Sequence, residues 1–281
     1  MIKVILASAV ALLTVSSVEA STVVSVPAGD MQIYYRVISK TDPVAETYKT
    51  TRDLSSPISA SSSSQAATFN STANAMGRPT VAVSGSTEGS QNLTGANVGS
   101  ALTYFIYVGG PDTAILVPIV YKALLATSAS GRDSTGNEGS QALATFGVQE
   151  YANNPDAINN DFVGNILSRS LEAQNRYGSD AESFSTELVG TLQVQSSHYL
   201  AIDLGANVRL QDGGYGSAMA DPYFQIDQEF VNAHPGYSLS FSPFAGNVAP
   251  VPEPATWAIM LTGFGLIGLV MRRRSAAVSL A

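Results

Sequence analysis

The chain has 281 residues, a net charge of −8 from 14 Lys and Arg against 22 Asp and Glu, and no cysteine. Without Cys there is no disulfide, no thiolate nucleophile and no Cys-based metal site, so sheet packing and backbone hydrogen bonds must hold the fold. The acidic balance, with no basic stripe anywhere, argues against nucleic acid as a partner.

In chain order, Met1-Ile2-Lys3 is a short cationic start and Val4 to Val15 is an apolar run. Ser16-Ser17-Val18-Glu19-Ala20 follows as a small-residue stretch with Val18 and Ala20 placed for cleavage between Ala20 and Ser21. This is the pattern of a secretory signal peptide over 1–20, and it is excluded from the fold. The two ends together carry four cations and two acids, so the body, 21–251, is more acidic than the whole chain. Its length suits one large all-β domain, or two small ones.

Along the body few segments keep a helical period and many keep a period of two, which puts one face of a strand on a core and the other in water. Strands are expected at Val23–Val26, Gln32–Ile38, Thr80–Ser84, Thr103–Val108, Ile115–Leu125, Ala142–Gln149, Pro222–Ile226 and Ser238–Ser242. The clearest alternation is Phe184 to Gln195, with Phe184, Leu188, Leu192 and Val194 on one parity. It resumes with Leu200, Ile202 and Leu204, then Ala206, Val208 and Leu210 opposed by Asn207, Arg209 and Gln211. This stretch reads as two or three consecutive antiparallel strands. Turn chemistry separates the strands at Gly109-Gly110-Pro111-Asp112, Gly131 to Gly139, Asn153-Asn154-Pro155-Asp156 and His234-Pro235-Gly236. Ser55 to Ser64 is Ser-rich and reads as a flexible loop or disordered arm. Phe162 to Arg176 fits either a helix or an alternating strand, and Asp227 to Ala233 fits a short helical turn. The expected fold class is mainly β: a β-sandwich ectodomain of jelly-roll type, with an N-terminal signal helix and one C-terminal transmembrane helix.

The body offers little catalytic chemistry. His198 and His234 lie in different strand-turn contexts with no metal-ligand partner at i+2 or i+4, and they read as surface or turn-stabilising residues. No serine sits in a Gly-x-Ser-x-Gly elbow. Asp212, Asp221 and Asp227 could gather round calcium if their loops converge, but no EF-hand spacing supports this, and Asp in turns needs no ligand to explain it. No cofactor is expected. Tyr104, Phe105, Tyr107, Tyr121, Tyr199, Tyr215, Tyr223 and Tyr237 lie near strands or loop ends, where aromatics serve either cross-strand packing or a sugar-binding platform. Asn70-Ser71-Thr72 and Asn92-Leu93-Thr94 fit the N-glycosylation sequon.

The end of the chain is the most specific part. Pro252 and Pro254 fix an extended, non-helical hinge around Glu253. Trp257 to Met271 carries no charge. As a helix it would span about 22 Å, short against a hydrocarbon core of about 30 Å. Trp257 suits the headgroup level, and Arg272, Arg273 and Arg274 favour the cytoplasmic side. Pro-Glu-Pro, Trp-Ala, Gly-Phe-Gly and Arg-Arg-Arg in this order resemble the PEP-CTERM sorting tail of Gram-negative bacteria, over about residues 251–274. The extension 275–281 departs from family tails that stop sooner, and it would be cytoplasmic. The segments 220–227 and 234–243 look like the closing strands of the sandwich ectodomains that commonly precede such a tail.

The resemblance implies a sorting tail over 252–274, read by the membrane enzyme exosortase, which processes the protein near Pro252-Glu253-Pro254. It implies an exported protein, held transiently in the inner membrane as a precursor and then placed at the cell surface or outside the cell. There it would be a non-enzymatic component of the surface or of the exopolysaccharide matrix of a biofilm. The alternative is a carbohydrate-binding sandwich in that matrix, and the third reading is a secreted hydrolase of sugars or esters.

Overall fold

Alternation of buried and exposed residues runs through most strands of the molecule. The computed structural model describes residues 24–39, 45–63, 67–87, 93–131, 139–155, 161–175, 181–211 and 213–247. The signal peptide with its Ala20–Ser21 junction, Asp212, the hinge Pro252-Glu253-Pro254, Trp257, the apolar helix, Arg272 to Arg274 and the extension 275–281 all lie outside these residues. Among the described residues no helix is long and apolar enough to cross a membrane.

The elements in chain order are β1 (Asp30–Ser39), β2 (Ala45–Thr51), β3 (Ile58–Ser63), β4 (Ala67–Asn74), β5 (Thr80–Thr87), β6 (Leu93–Gly109) and β7 (Leu116–Ser130). They continue with β8 (Gln141–Tyr151), β9 (Phe162–Gln174), β10 (Glu182–Gln195), β11 (Tyr199–Leu210), β12 (Tyr215–Ile226), α1 (Gln228–Ala233) and β13 (Ser238–Phe241). One sheet has the order β2-β1-β6-β11-β8-β9, and β13 pairs with β6 on the stretch that β1 leaves free. The other has the order β10-β7-β12-β5-β4-β3. Every pairing is antiparallel.

Four pairs are nested: β5 with β12, β6 with β11, β7 with β10 and β8 with β9. Successive nested pairs alternate between the two sheets, which is a long hairpin rolled into a jelly-roll-like sandwich. The inner faces meet in one core that includes Leu102, Tyr104 and Ile106 of β6, Ile202 and Leu204 of β11, Ile119 and Leu125 of β7, and Val81 and Val83 of β5. Phe146 of β8 crosses between the sheets, with ring centroids 5.9 Å from Tyr121 of β7 and 6.0 Å from Phe224 of β12.

Several expectations change. Val23–Val26 is not a strand over its described part, 24–26. The Ser-rich segment is not a loop: Ile58–Ser63 is strand β3, because six backbone positions pair with β4 at the edge of a sheet, where small polar side chains suffice. Phe162–Gln174 is a strand, as its alternating half allowed, and not a helix. The stretch 184–211 holds two strands, but they do not pair with each other. The turn at 196–198 carries the chain from β10 in one sheet to β11 in the other. Along β10 the predicted parity holds while its depth falls off: Val194 and Leu192 are buried, Leu188 packs against the core, and Phe184 is 45 % exposed. The short helical turn is α1, capped by Asp227.

Because strands alternate in direction, the two ends of the sandwich differ. The segments 52–57, 75–79, 110–115, 152–155, 196–198 and 227–237 share one end with the C-terminal segment 242–247. The last residues of β1, β3, β5, β7, β9 and β11 and the first of β2, β4, β6, β8, β10 and β12 share the other, here called the distal end.

Candidate functional site

The route by which the chain leaves the sandwich is tightly built. Ser242 sits beyond β13, where its Oγ accepts the Phe105 N–H at 2.8 Å and donates to the Pro27 carbonyl at 2.6 Å. Four residues later the Gly246 N–H donates to the Ala75 carbonyl at 2.8 Å. A Cβ on Gly246 would stand 2.1 Å from the Gly77 carbonyl oxygen, so only glycine permits this approach. Asn247 then acts as a one-residue strand partner for β12. Its Oδ1 accepts the Phe224 N–H at 3.0 Å, and its Nδ2 donates to the Phe224 carbonyl. The body is therefore fastened up to Asn247, and four residues, 248–251, lie between it and Pro252 in the sequence, a reach of five residue steps or at most about 18 Å of extended chain.

The sequence-predicted residues in the body have other partners. Asp221 forms an ion pair with Arg78 from the β4–β5 turn, on the outer face of β12. Burial pushes the Asp221 carboxyl up, against the opposing pull of the Arg78 guanidinium. Beneath it, burial and then the Asp221 charge hold the Tyr104 phenol well above its ordinary value. Asp227 accepts the Glu229 and Phe230 N–H groups at 3.0 Å each as the N-cap of α1. Among the described residues no three His, Asp or Glu gather to hold a metal. His198 Nδ1 lies 2.7 Å from Glu150 Oε1 and braces the β10–β11 turn against β8. His234 ends α1, its N–H donating to the Phe230 carbonyl at 2.8 Å, and its ring stacks on Phe230 at 4.5 Å. Of the aromatics, Tyr104 and Tyr121 belong to the core, and Tyr237 is buried edge-on against Phe230. Tyr199 packs on Tyr107 at 4.9 Å, and Tyr215 is exposed.

What sequence reasoning missed is the outer face of the sheet containing β6. Register across β1, β6 and β11 sets up transverse rows. From the distal end they are Arg36–Asn97–Arg209, Tyr34–Gly99–Asn207, Gln32–Ala101–Gly205 and Asp30–Thr103–Asp203. The Tyr34 ring lies over Gly99, where a Cβ would stand 2.3 Å from ring carbon Cε1, and it is 36 % exposed. Its hydroxyl accepts from Asn207 Nδ2, which also donates to Asn97 Oδ1 at 2.9 Å. Beside it, the Tyr48 hydroxyl of β2 donates to Gln32 Oε1 at 2.9 Å. A shallow depression of about 240 Å³ is lined by Arg36, Gly95, Asn97, Arg209 and Gln211. At the other extreme the Thr103 hydroxyl donates to Asp203 Oδ1 at 2.8 Å. Burial raises the Asp203 carboxyl, the Thr103 bond opposes this, and Asp30 adds to it. The face thus runs from cationic to acidic over three row spacings, about 20 Å.

No curated protein matches the chain. Among solved structures, the carbohydrate-binding module TmCBM61, solved in complex with beta-1,4-galactotriose, is similar over 62 % of this chain and 91 % of that one, with 11 % identity and a TM-score of 0.24. Residues 250–274, which begin three positions after the Asn247 clamp, match the family model of the PEP-CTERM protein-sorting motif. By that match, the chain carries a PEP-CTERM protein-sorting motif at these residues.

Proposed function

We propose that the chain is a non-enzymatic exported protein, sorted by exosortase through its C-terminal motif and placed at the cell surface or in an exopolysaccharide matrix. The observation that carries this reading is the motif over 250–274, next to a body that is clamped up to Asn247. On this reading exosortase acts on the motif at the membrane while the sandwich stays outside the bilayer. The test is fractionation of a tagged chain in strains with and without exosortase, alongside a variant with Pro252, Glu253 and Pro254 all changed to Ala. The native chain is expected at the surface without its tail only where exosortase is present. The variant is expected to stay in the membrane at full length. Equal release of all forms would refute the reading.

A second reading, carbohydrate binding within that matrix, is favoured by the Tyr34 platform over Gly99, flanked by Asn97, Asn207 and the Tyr48–Gln32 pair. An exposed aromatic face bordered by amide side chains stacks and hydrogen-bonds sugar rings. Binding to a panel of neutral and acidic glycans tests it, and silence on every glycan would remove it.

A further inference from the structure

We propose that the row Arg36–Asn97–Arg209 binds the carboxylate of a uronate unit in an acidic polysaccharide; this deepens the carbohydrate-binding reading and rests on it. The two arginines lie on β1 and β11, with Asn97 of β6 directly between them. Both are exposed, and among the described residues neither has an ion-pair partner. Glu46 of β2 stands opposite Arg36 in register, and it makes no ion pair with it. In a chain of net charge −8, two unpaired guanidiniums flanking one strand are a local exception to the general field. The acidic row Asp30–Thr103–Asp203 is about 20 Å away along the strands, beyond the Debye length of about 8 Å at physiological salt, so it does not cancel them.

The chemistry fits a planar anion carried on a ring. Guanidinium is a rigid fork of donors that matches a carboxylate bidentately. Asn97 Oδ1 is occupied by Asn207 at 2.9 Å, which leaves the Asn97 NH2 for an acceptor. One row away Tyr34 offers a ring face, and Gly95 leaves the edge of the depression low. At about 240 Å³ the depression is smaller than the ~300–1,000 Å³ sites of drug-sized ligands, so it takes one sugar unit of a longer chain. It lies toward the distal end. From Asn97 to Gly109, where β6 reaches the end from which the tail departs, is about 40 Å of strand. The site is thus far along the strands from the end that leads to the tail, which favours an external polymer over lipid headgroups as its occupant.

Full-length chain in detergent micelles tests this by titration with oligogalacturonate, its methyl ester, a neutral maltooligosaccharide, dextran sulfate and inorganic phosphate. The wild type is expected to bind oligogalacturonate, with the methyl ester at least about tenfold weaker. The double variant Arg36→Gln, Arg209→Gln should lose at least about tenfold in oligogalacturonate affinity. A control with the same change of charge, Arg52→Gln with Arg169→Gln, should stay within about twofold. Far-UV circular dichroism checks that each variant keeps its strand signal. Unchanged affinity in the Arg36, Arg209 variant, or equal binding of acid and ester, overturns the proposal. Binding of dextran sulfate or phosphate without oligogalacturonate also overturns it, since the site would then read charge and not a uronate. If neutral glycans bind and the arginine substitutions change nothing, only this inference falls. If no glycan binds, the carbohydrate-binding reading falls with it.

Discussion

Replacing Phe146 with Ala should test the sandwich at its centre. Phe146 is 1 % exposed and sends its ring from β8 into the opposite sheet, between Tyr121 and Phe224. Deleting a buried phenyl ring costs about 3–5 kcal/mol, from lost transfer energy and the cavity left behind. The two tilted ring pairs place it toward the upper part of that range, since each such pair adds about 0.5–1.5 kcal/mol beyond area. A domain's whole stability is about 5–15 kcal/mol, so the variant should be folded but marginal. Phe162→Ala is the internal reference. Phe162 lies on edge strand β9, is 52 % exposed and has one edge contact with Tyr151 at 5.4 Å. Its loss should cost about 1 kcal/mol or less. The assay is urea denaturation of residues 21–251, followed by far-UV circular dichroism and tyrosine fluorescence. The chain's single Trp is in the tail, so tyrosine carries the optical signal. A gap of at least about 2 kcal/mol between the two variants, at unchanged denaturant slope, is expected. If Phe146→Ala cost no more than Phe162→Ala, the two sheets would not pack through Phe146 and the fold described above would be wrong.

Asp203→Asn should stabilise the body at neutral pH. Burial raises the folded Asp203 pKa above 3.8, so folding favours its protonated form, and stability falls as pH rises from below that value through the folded one. Asparagine keeps an acceptor for the Thr103 hydroxyl without the charge, so the gain should be present near pH 7 and absent near pH 3; a gain equal at both would contradict the assignment. Asn247→Ala removes both bonds to the Phe224 backbone and should cost about 1–3 kcal/mol. Amide exchange of Phe224 and Gly246 should quicken while that of Leu102 in the core does not. Unchanged exchange at Phe224 would mean that Asn247 does not hold the exit.

Local chemistry carried much of this protein in plain view. Prolines, a charge-free apolar run and three arginines act through their order along a few turns of chain, so the sorting motif was readable from residues 251–274 without any fold. Period-two alternation likewise marked β7, β8, β10 and β11, because a half-buried strand must alternate. It also put Asn207 and Arg209 on a polar face. It could not reveal the Ser-rich β3, whose strand state comes from pairing with β4 and not from its own side chains.

Alternation says which face a residue takes and nothing about which strand lies beside it. Arg36, Asn97 and Arg209 are far apart in the chain, and only the rolled hairpin, which sets β1 and β11 on either side of β6, puts them in one row. Asp221 reads in the sequence as a loop acid open to calcium. In the fold it is the buried partner of Arg78, because β5 begins beside Ala220 and the β4–β5 turn just before it reaches Asp221. The destination of the chain is thus written in its linear end, where recognition needs only order and spacing. The surface it would present on arrival is a product of long-range strand pairing, whose register a single sequence does not encode locally.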